Sequence, residues 1–374
     1  MSVYQYIYFA AIDKPLDDKQ LEYMRHQSTR AEVTRWQFTN EYHYGDFHGN
    51  SLEMMRRGYD VHLHYANYGV RKLLFRLPLR LPMSAEQFKA YAMEYSIEWK
   101  KDKRGKGGVL SIQPECDAGF YSEDYFDFDR LVACLPKIRE GLIAGDTRVL
   151  YLGWLACNWD EESLEPPVPA GLGKLPPELA ELIDFYELGS DLLAAANEQS
   201  DKLPGQAADE PDVDDWLANQ SPETLRALMR RVLQDDAAAV RAESLAAMRN
   251  QSGLPTWPAN PGSRTLEELR ELASAKADQR KKREIASEKR KLGKRLTKIR
   301  KDPAAAISDA EKLIQSRSTQ NYTKAAKMLA ELRDAVGGDE GSRMADQAAR
   351  KIAKKYPTLS YAKRAFKEQG LNYR

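Results

Sequence analysis

A chain of 374 residues that is 42% hydrophobic and 30% charged, with a formal net charge of +1, is long enough for two or three cores and too apolar to be wholly disordered. It has no early run of 18 apolar residues and no basic-then-apolar leader, which argues against a membrane span or secretory signal and predicts a cytoplasmic protein. Cys116, Cys134 and Cys157 form no CxxC pair, so neither a disulfide framework nor a cysteine-based metal finger is expected.

The near-zero net charge hides a strong asymmetry. Residues 1–157 carry 21 basic and 21 acidic side chains, residues 158–250 carry 7 and 20, and residues 261–374 carry 29 and 15. An acidic middle followed by a basic end predicts segments that either attract one another or face different partners.

Val3 to Ile12 is rich in aromatic and β-branched residues and predicts a buried strand. A helix follows Pro15, with Leu16, Leu21 and Met24 on one stripe, and a second strand is expected over Glu32–Phe38. A loop holding Gly45 and Gly49 leads to Tyr59–Tyr65, whose strict alternation puts Tyr59, Val61, Leu63 and Tyr65 on one face and Asp60, His62 and His64 on the other. Lys72–Pro78 reads as its partner strand. Ser84 with Gln87 has capping-box spacing, so a short helix through Phe88, Tyr91 and Met93 is expected. Strands at Tyr95–Trp99 and Val109–Ile112 would flank a hydrophilic loop from Lys100 to Gly108. This order predicts an α+β fold, with a small mixed-sheet domain over residues 1–160. A ferredoxin-like arrangement, single or duplicated, is one candidate.

From Phe128 the spacing becomes helical, through Leu131, Cys134, Leu135, Ile138 and Leu142, and Val149–Trp159 reads as a second apolar helix. Glu165–Gly173 cannot continue a regular element and predicts a linker or extended strap. Residues 161–250 are therefore expected to form an acidic helical and linker region, with a helix starting at Ser221-Pro222 and running to about Arg249. Glycines and prolines within 252–263 suggest a boundary. Residues 264–374 are expected to form a basic long helix from Thr265 to Pro303, followed by a helical bundle or hairpin. The long helix needs a partner, and Ile285, Leu292, Leu296 and Ile299 suggest a short coiled-coil seam. Tyr322, Ala325, Leu329, Leu332 and Val336 form the clearest amphipathic stripe beyond it.

The basic helix is the most informative feature. Arg280, Lys281, Lys282, Arg283, Lys289, Arg290, Lys291, Lys294, Arg295 and Lys298 crowd one segment in which only Glu284 and Glu288 are acidic. Arg280, Arg283, Lys291, Lys294 and Lys298 fall on one side at helical spacing, a ribbon suited to a phosphate backbone, DNA or RNA. Arg71, Lys72 and Arg76 add positive charge in the first domain. The competing reading is a solvated helix stabilised by its own carboxylates at i,i+4.

A second candidate is a divalent-metal site. His62 and His64 share a strand face, and His43 and Asp46 in the preceding loop could complete an N/O ligand set for water activation. Glu123, Asp124, Asp127 and Asp129 could bind a cation or simply cap the helix starting nearby. GxSxG, Rossmann and P-loop patterns are absent. The leading expectation is a non-enzymatic, nucleic-acid-associated adaptor. A metal-assisted hydrolase or nuclease and a purely protein-binding structural adaptor in a larger complex are the alternatives.

Overall fold

The structure, a computed structural model, describes residues 4–102, 107–114, 126–203, 213–234, 236–252 and 257–374. Cys116, Glu123 and Asp124 lie outside the described residues, as do 103–106 of the basic loop and 204–212 of the polar segment. The chain divides into two compact units, Met1–Lys276 and Ala277–Arg374. The architecture is α+β, with an N-terminal multi-stranded sheet and a helix-rich C-terminal region.

The first unit is built on seven strands. In chain order these elements are β1 (Gln5–Ala10), α1 (Asp18–Arg25), β2 (Glu32–Val33), β3 (Gln37–Tyr42), α2 (Ser51–Arg57), β4 (Val61–Ala66), β5 (Val70–Leu77), α3 (Ala85–Lys89), β6 (Ile97–Lys101) and β7 (Gly108–Ile112). The strand order is β2-β3-β1-β4-β5-β7-β6, and every neighbouring pair is antiparallel. Thus β1-α1-β2-β3-α2-β4 occupies one half in the order β2-β3-β1-β4. The remaining strands repeat the beginning of that pattern, since β5-α3-β6-β7 lies in the order β5-β7-β6.

Local chemistry sets the element ends. Asp17 and Gln20 form a capping box at the start of α1, and Ser84 with Gln87 forms another at α3. The strand expected over Glu32–Phe38 is broken in two, because Thr34 N–H donates to Gln37 O at 2.8 Å and closes a tight turn. The strand expected from Tyr95 begins at Ile97; Tyr95 sits in a turn at φ 66°. Sequence reading left α2 within a loop. Its signal is short: Asn50 accepts from Glu53 N–H as a cap, and Met54 and Met55 bury one side of the 7-residue helix that follows.

Both faces of the sheet are covered. Ile7, Phe9, Phe38 and Tyr42 pack with Met24 of α1 and with Met54 and Met55 of α2. The opposite face, with Leu63, Phe75, Leu110 and Ile112, packs against Leu131, Leu135 and Ile138 of α4 (Phe128–Ile143) and against α5 (Arg148–Cys157). Strand residues buried on both sides explain why several strands read as continuous apolar runs.

After α5 come β8 (Val168–Pro169), α6 (Pro177–Phe185), α7 (Ser190–Ala196), α8 (Val213–Ala218), α9 (Pro222–Leu233), α10 (Ala237–Ser252), β9 (Ala259–Asn260) and α11 (Leu266–Lys301). The strap containing Glu165 is pinned: β8 pairs with β9, and the buried Glu165 carboxylate accepts from Arg264 Nε at 2.9 Å and Nη2 at 2.7 Å. Gly262 is required there, since a Cβ would lie 1.9 Å from Glu165 O. Much of the acidic middle is used locally in the same way, with Glu181 on Arg130, Glu187 on Arg71 and Glu243 on Arg231.

The second unit comprises the rest of α11 with α12 (Pro303–Gln315), α13 (Thr319–Val336), α14 (Gly338–Lys355) and α15 (Ser360–Glu368). Its core joins Ile314, Leu329, Leu332, Ile352 and Phe366 to a set of buried alanines. Small alanines let α13 lie close to α12, α14 and α15. The Tyr322, Ala325, Leu329 and Leu332 stripe is buried as the spacing predicts.

Candidate functional site

The histidines do not form a metal centre. His62 and His64 share one face of β4, with ring centroids 6.3 Å apart, but α1 and α2 cover that face. His62 is wholly buried and stacked on Phe9 at 3.8 Å; its Nδ1–H donates to Tyr8 O at 2.9 Å. Gln5 Nε2 donates to Asp46 Oδ1 at 2.7 Å, so Gln5 Oε1 is left to accept from His64 Nε2–H at 3.1 Å. His43 is exposed and lies against the Tyr4 ring. Among the described residues no group of three or more His, Cys, Asp or Glu side chains is placed to hold a metal ion. The divalent-metal cofactor expected on His43, Asp46, His62 and His64 is therefore overturned, and the hydrolase alternative loses its centre. Alternation placed two imidazoles on one face correctly, but one nitrogen of each is bonded to the protein's own polar groups, and His62 Nε2 is buried without a partner among the described residues.

The buried histidines carry a different consequence. Burial, then the neighbouring His64 and Lys72 charges, hold the His62 imidazole well below its ordinary value, while burial and Lys72 lower His64 to about 4. Below pH ~6.5 the unfolded chain gains protons that the folded chain refuses, so stability falls as pH drops from there towards 4. For His64 the expected loss is about 2 kcal/mol at pH 5 relative to pH 7.5. Urea midpoints at the two pH values measure it, and His64→Gln should flatten the difference.

The sheet also organises a cleft lined by arginines. Asp60, just before β4, is completely buried and accepts from Ile12 N–H at 2.6 Å and Asp13 N–H at 3.0 Å. Arg76 of β5 donates to its Oδ1 through Nε at 3.0 Å and Nη2 at 2.5 Å. Arg139 of α4 lies 3.6 Å away, bound in bidentate fashion to Asp13 at 2.7 and 2.8 Å and to Arg76 O at 2.8 Å. Asp13, Arg76 and Arg139 of this network line a cavity of about 540 Å³, together with Arg231, Glu243 and the first turn of α10. Gly107, at φ 132°, is needed at the rim because a Cβ would lie 2.2 Å from Leu77 O.

Of the cations expected to meet phosphate in this unit, Arg71 is buried, pairs with Glu187 and lies over the Tyr65 ring at 5.0 Å. Lys72 is half-buried, and burial lowers its pKa. Arg76 is tied to Asp60 as described. Asp127 serves as the α4 cap, accepting from Arg130 N–H. Sequence reading missed Arg139, Asp13, Arg56 and Arg231. The one available signal was Arg139 standing among the apolar positions Leu135, Ile138 and Leu142, where a charge needs a buried partner.

In the second unit, Lys281, Lys282, Arg283, Lys289, Arg290, Lys291, Lys294 and Lys298 are all exposed, and among the described residues none of them makes an ion pair. Arg280 pairs with Glu284 at 3.5 Å and Arg295 with Glu331 at 2.7 Å. Ile285 and Leu292 of the expected seam are 56% and 37% exposed, whereas Ile299 packs on the bundle.

No family model matches this chain, and neither the curated proteins nor the solved structures contain a significant match. No described helix is long and apolar enough to cross a membrane.

Proposed function

We propose that the protein is a nucleic-acid-associated adaptor that holds a phosphate backbone along the basic stretch of α11. One observation carries this reading: the cations from Lys281 to Lys298 stand in solvent, and only Arg295 of that stretch is matched by a carboxylate among the described residues. A helix that stabilised itself through i,i+4 pairs would spend Glu288 as well as Glu284, but among the described residues only Glu284 of the two is paired. At 100° per residue, Arg280, Arg283, Lys291, Lys294 and Lys298 point to one side, opposite Ile285, Leu292 and Leu296. Such a ribbon suits backbone contact without base readout, which leaves DNA and RNA equivalent.

The finer reading of the sheet belongs to the same proposal. We take β1–β4 as a ferredoxin-like layer and β5–β7 as a truncated second copy, supported by the strand orders β2-β3-β1-β4 and β5-β7-β6. With both sheet faces packed, this head contributes surface through its loops and helices, and cytoplasmic location remains part of the proposal.

Fluorescence anisotropy with labelled single- and double-stranded oligonucleotides tests the function. The intact chain should bind at 50 mM salt, and the Arg283→Gln/Lys291→Gln/Lys294→Gln/Lys298→Gln variant should bind at least 100-fold more weakly. An intact chain that ignores both polymers would instead be the protein-binding adaptor, its open seam taking a polypeptide.

A further inference from the structure

The cleft beside Asp60 contains one guanidinium whose chemistry is unfinished. Arg139 is saturated by Asp13 and Arg76 O, and Arg231 is held by Asp236 and Glu243 at 2.7 Å each. Arg56, at the end of α2, differs. Its Nε is buried and has no hydrogen-bond partner, its Nη2 reaches only Lys101 O at 3.4 Å, and no carboxylate among the described residues pairs with it. A buried N–H without an acceptor is costly, more so on a charged group. Arg76 bonds Asp60 through Nε and Nη2, which leaves Nη1 over, and it lines the same cavity.

Ala238 and Ala239 line the same cavity from the first turn of α10, where backbone amides have no intrahelical acceptor and the side chains are small. Leu77, Pro78, Leu79 and Val109 add apolar surface, beside the polar side chains of Lys14, Asp102 and Gln234. A volume of about 540 Å³ is within the range that encloses small organic ligands. Unpaired guanidinium donors call for a compact anion with several acceptor oxygens, and the apolar wall calls for a body attached to it.

From this arrangement we propose that the cleft binds a small organic phosphate of nucleotide size, with the phosphate held by Arg56 and by the spare nitrogen of Arg76. Arg56 lines the cavity with no carboxylate partner among the described residues, so a phosphate there would supply its charged partner. This site lies wholly within Met1–Lys276, and none of the basic residues of α11 lines it.

The test is isothermal titration calorimetry on the full chain with adenosine monophosphate, inorganic phosphate and adenosine. Adenosine monophosphate should bind saturably, inorganic phosphate more weakly, and adenosine undetectably. Arg56→Gln should weaken nucleotide binding at least tenfold. Ala239→Glu, which puts a carboxylate where it favours the helix start, should do the same while preserving the thermal transition. Lys291→Gln/Lys294→Gln in α11 should leave the isotherm unchanged, which separates this site from the polynucleotide reading. Absence of saturable binding by both phosphates, or equal affinity in folded Arg56→Gln and Ala239→Glu variants, overturns the proposal.

Discussion

Replacing Asp60 with alanine is expected to cost the first unit about 3–5 kcal/mol of unfolding free energy, the range for breaking a buried ion pair by deleting one partner. The carboxylate has no exposed surface, and five donors converge on or near it: two amides, two nitrogens of Arg76 and, further off, Arg139. Deletion leaves Arg139, itself almost wholly buried, with only Asp13 to balance it. It also frees the Ile12 and Asp13 amides that anchor the chain leaving β1. Burial alone would raise the Asp60 carboxyl, but Arg76, Arg139 and the two amides outweigh it and hold it below its ordinary value. Its contribution is therefore present above pH ~4, the unfolded value, and disappears as the pH falls through the lowered folded value. Urea unfolding at pH 7 should show the full deficit for Asp60→Ala, and the gap from the parent should narrow in strong acid. An unchanged midpoint at pH 7 would mean that the network contributes nothing to stability.

Polynucleotide affinity should collapse with salt. Each phosphate neutralised on a duplex releases close to one condensed cation, so about six contacts give a slope of about −5 in log affinity against log salt, and roughly a 1,000-fold loss between 50 and 200 mM. Arg280, Arg283, Arg290, Lys291, Lys294 and Lys298 supply that number, all of them exposed. Changing Lys291, Lys294 and Lys298 to glutamine should reduce the slope by about 2.7, as well as the affinity, for duplexes of any sequence. A base-specific site would behave otherwise, with affinity varying between oligonucleotides and the slope little altered by these three changes. Titration of two unrelated duplexes across that salt range distinguishes the cases.

How far the sequence could be read depended on the range of the interactions involved. The capping box at Ser84, the β4–β5 pair, the apolar stripe of α4 and the long α11 are products of neighbours within a few residues, and each was visible in the spacing. So was the charge ribbon of α11, because a helix of known pitch places its own side chains. Short α2 was not visible, since the 7 residues between Asn50 and Gly58 are too few to show a period.

The cleft and the fate of the histidines lay beyond that range. His62 and His64 looked like ligands because strand geometry sends both to one face, but only the packing of α1 and α2 on that face decided that His62 would be buried and that one nitrogen of each ring would bond Tyr8 and Gln5. Asp13, Asp60, Arg76 and Arg139 meet across as many as 126 positions of sequence. Alternation and helical period determine which way a side chain points. Which carboxylate it meets is determined by how the sheet stacks its strands and which helix closes over them, and those are contacts between residues that no local rule connects.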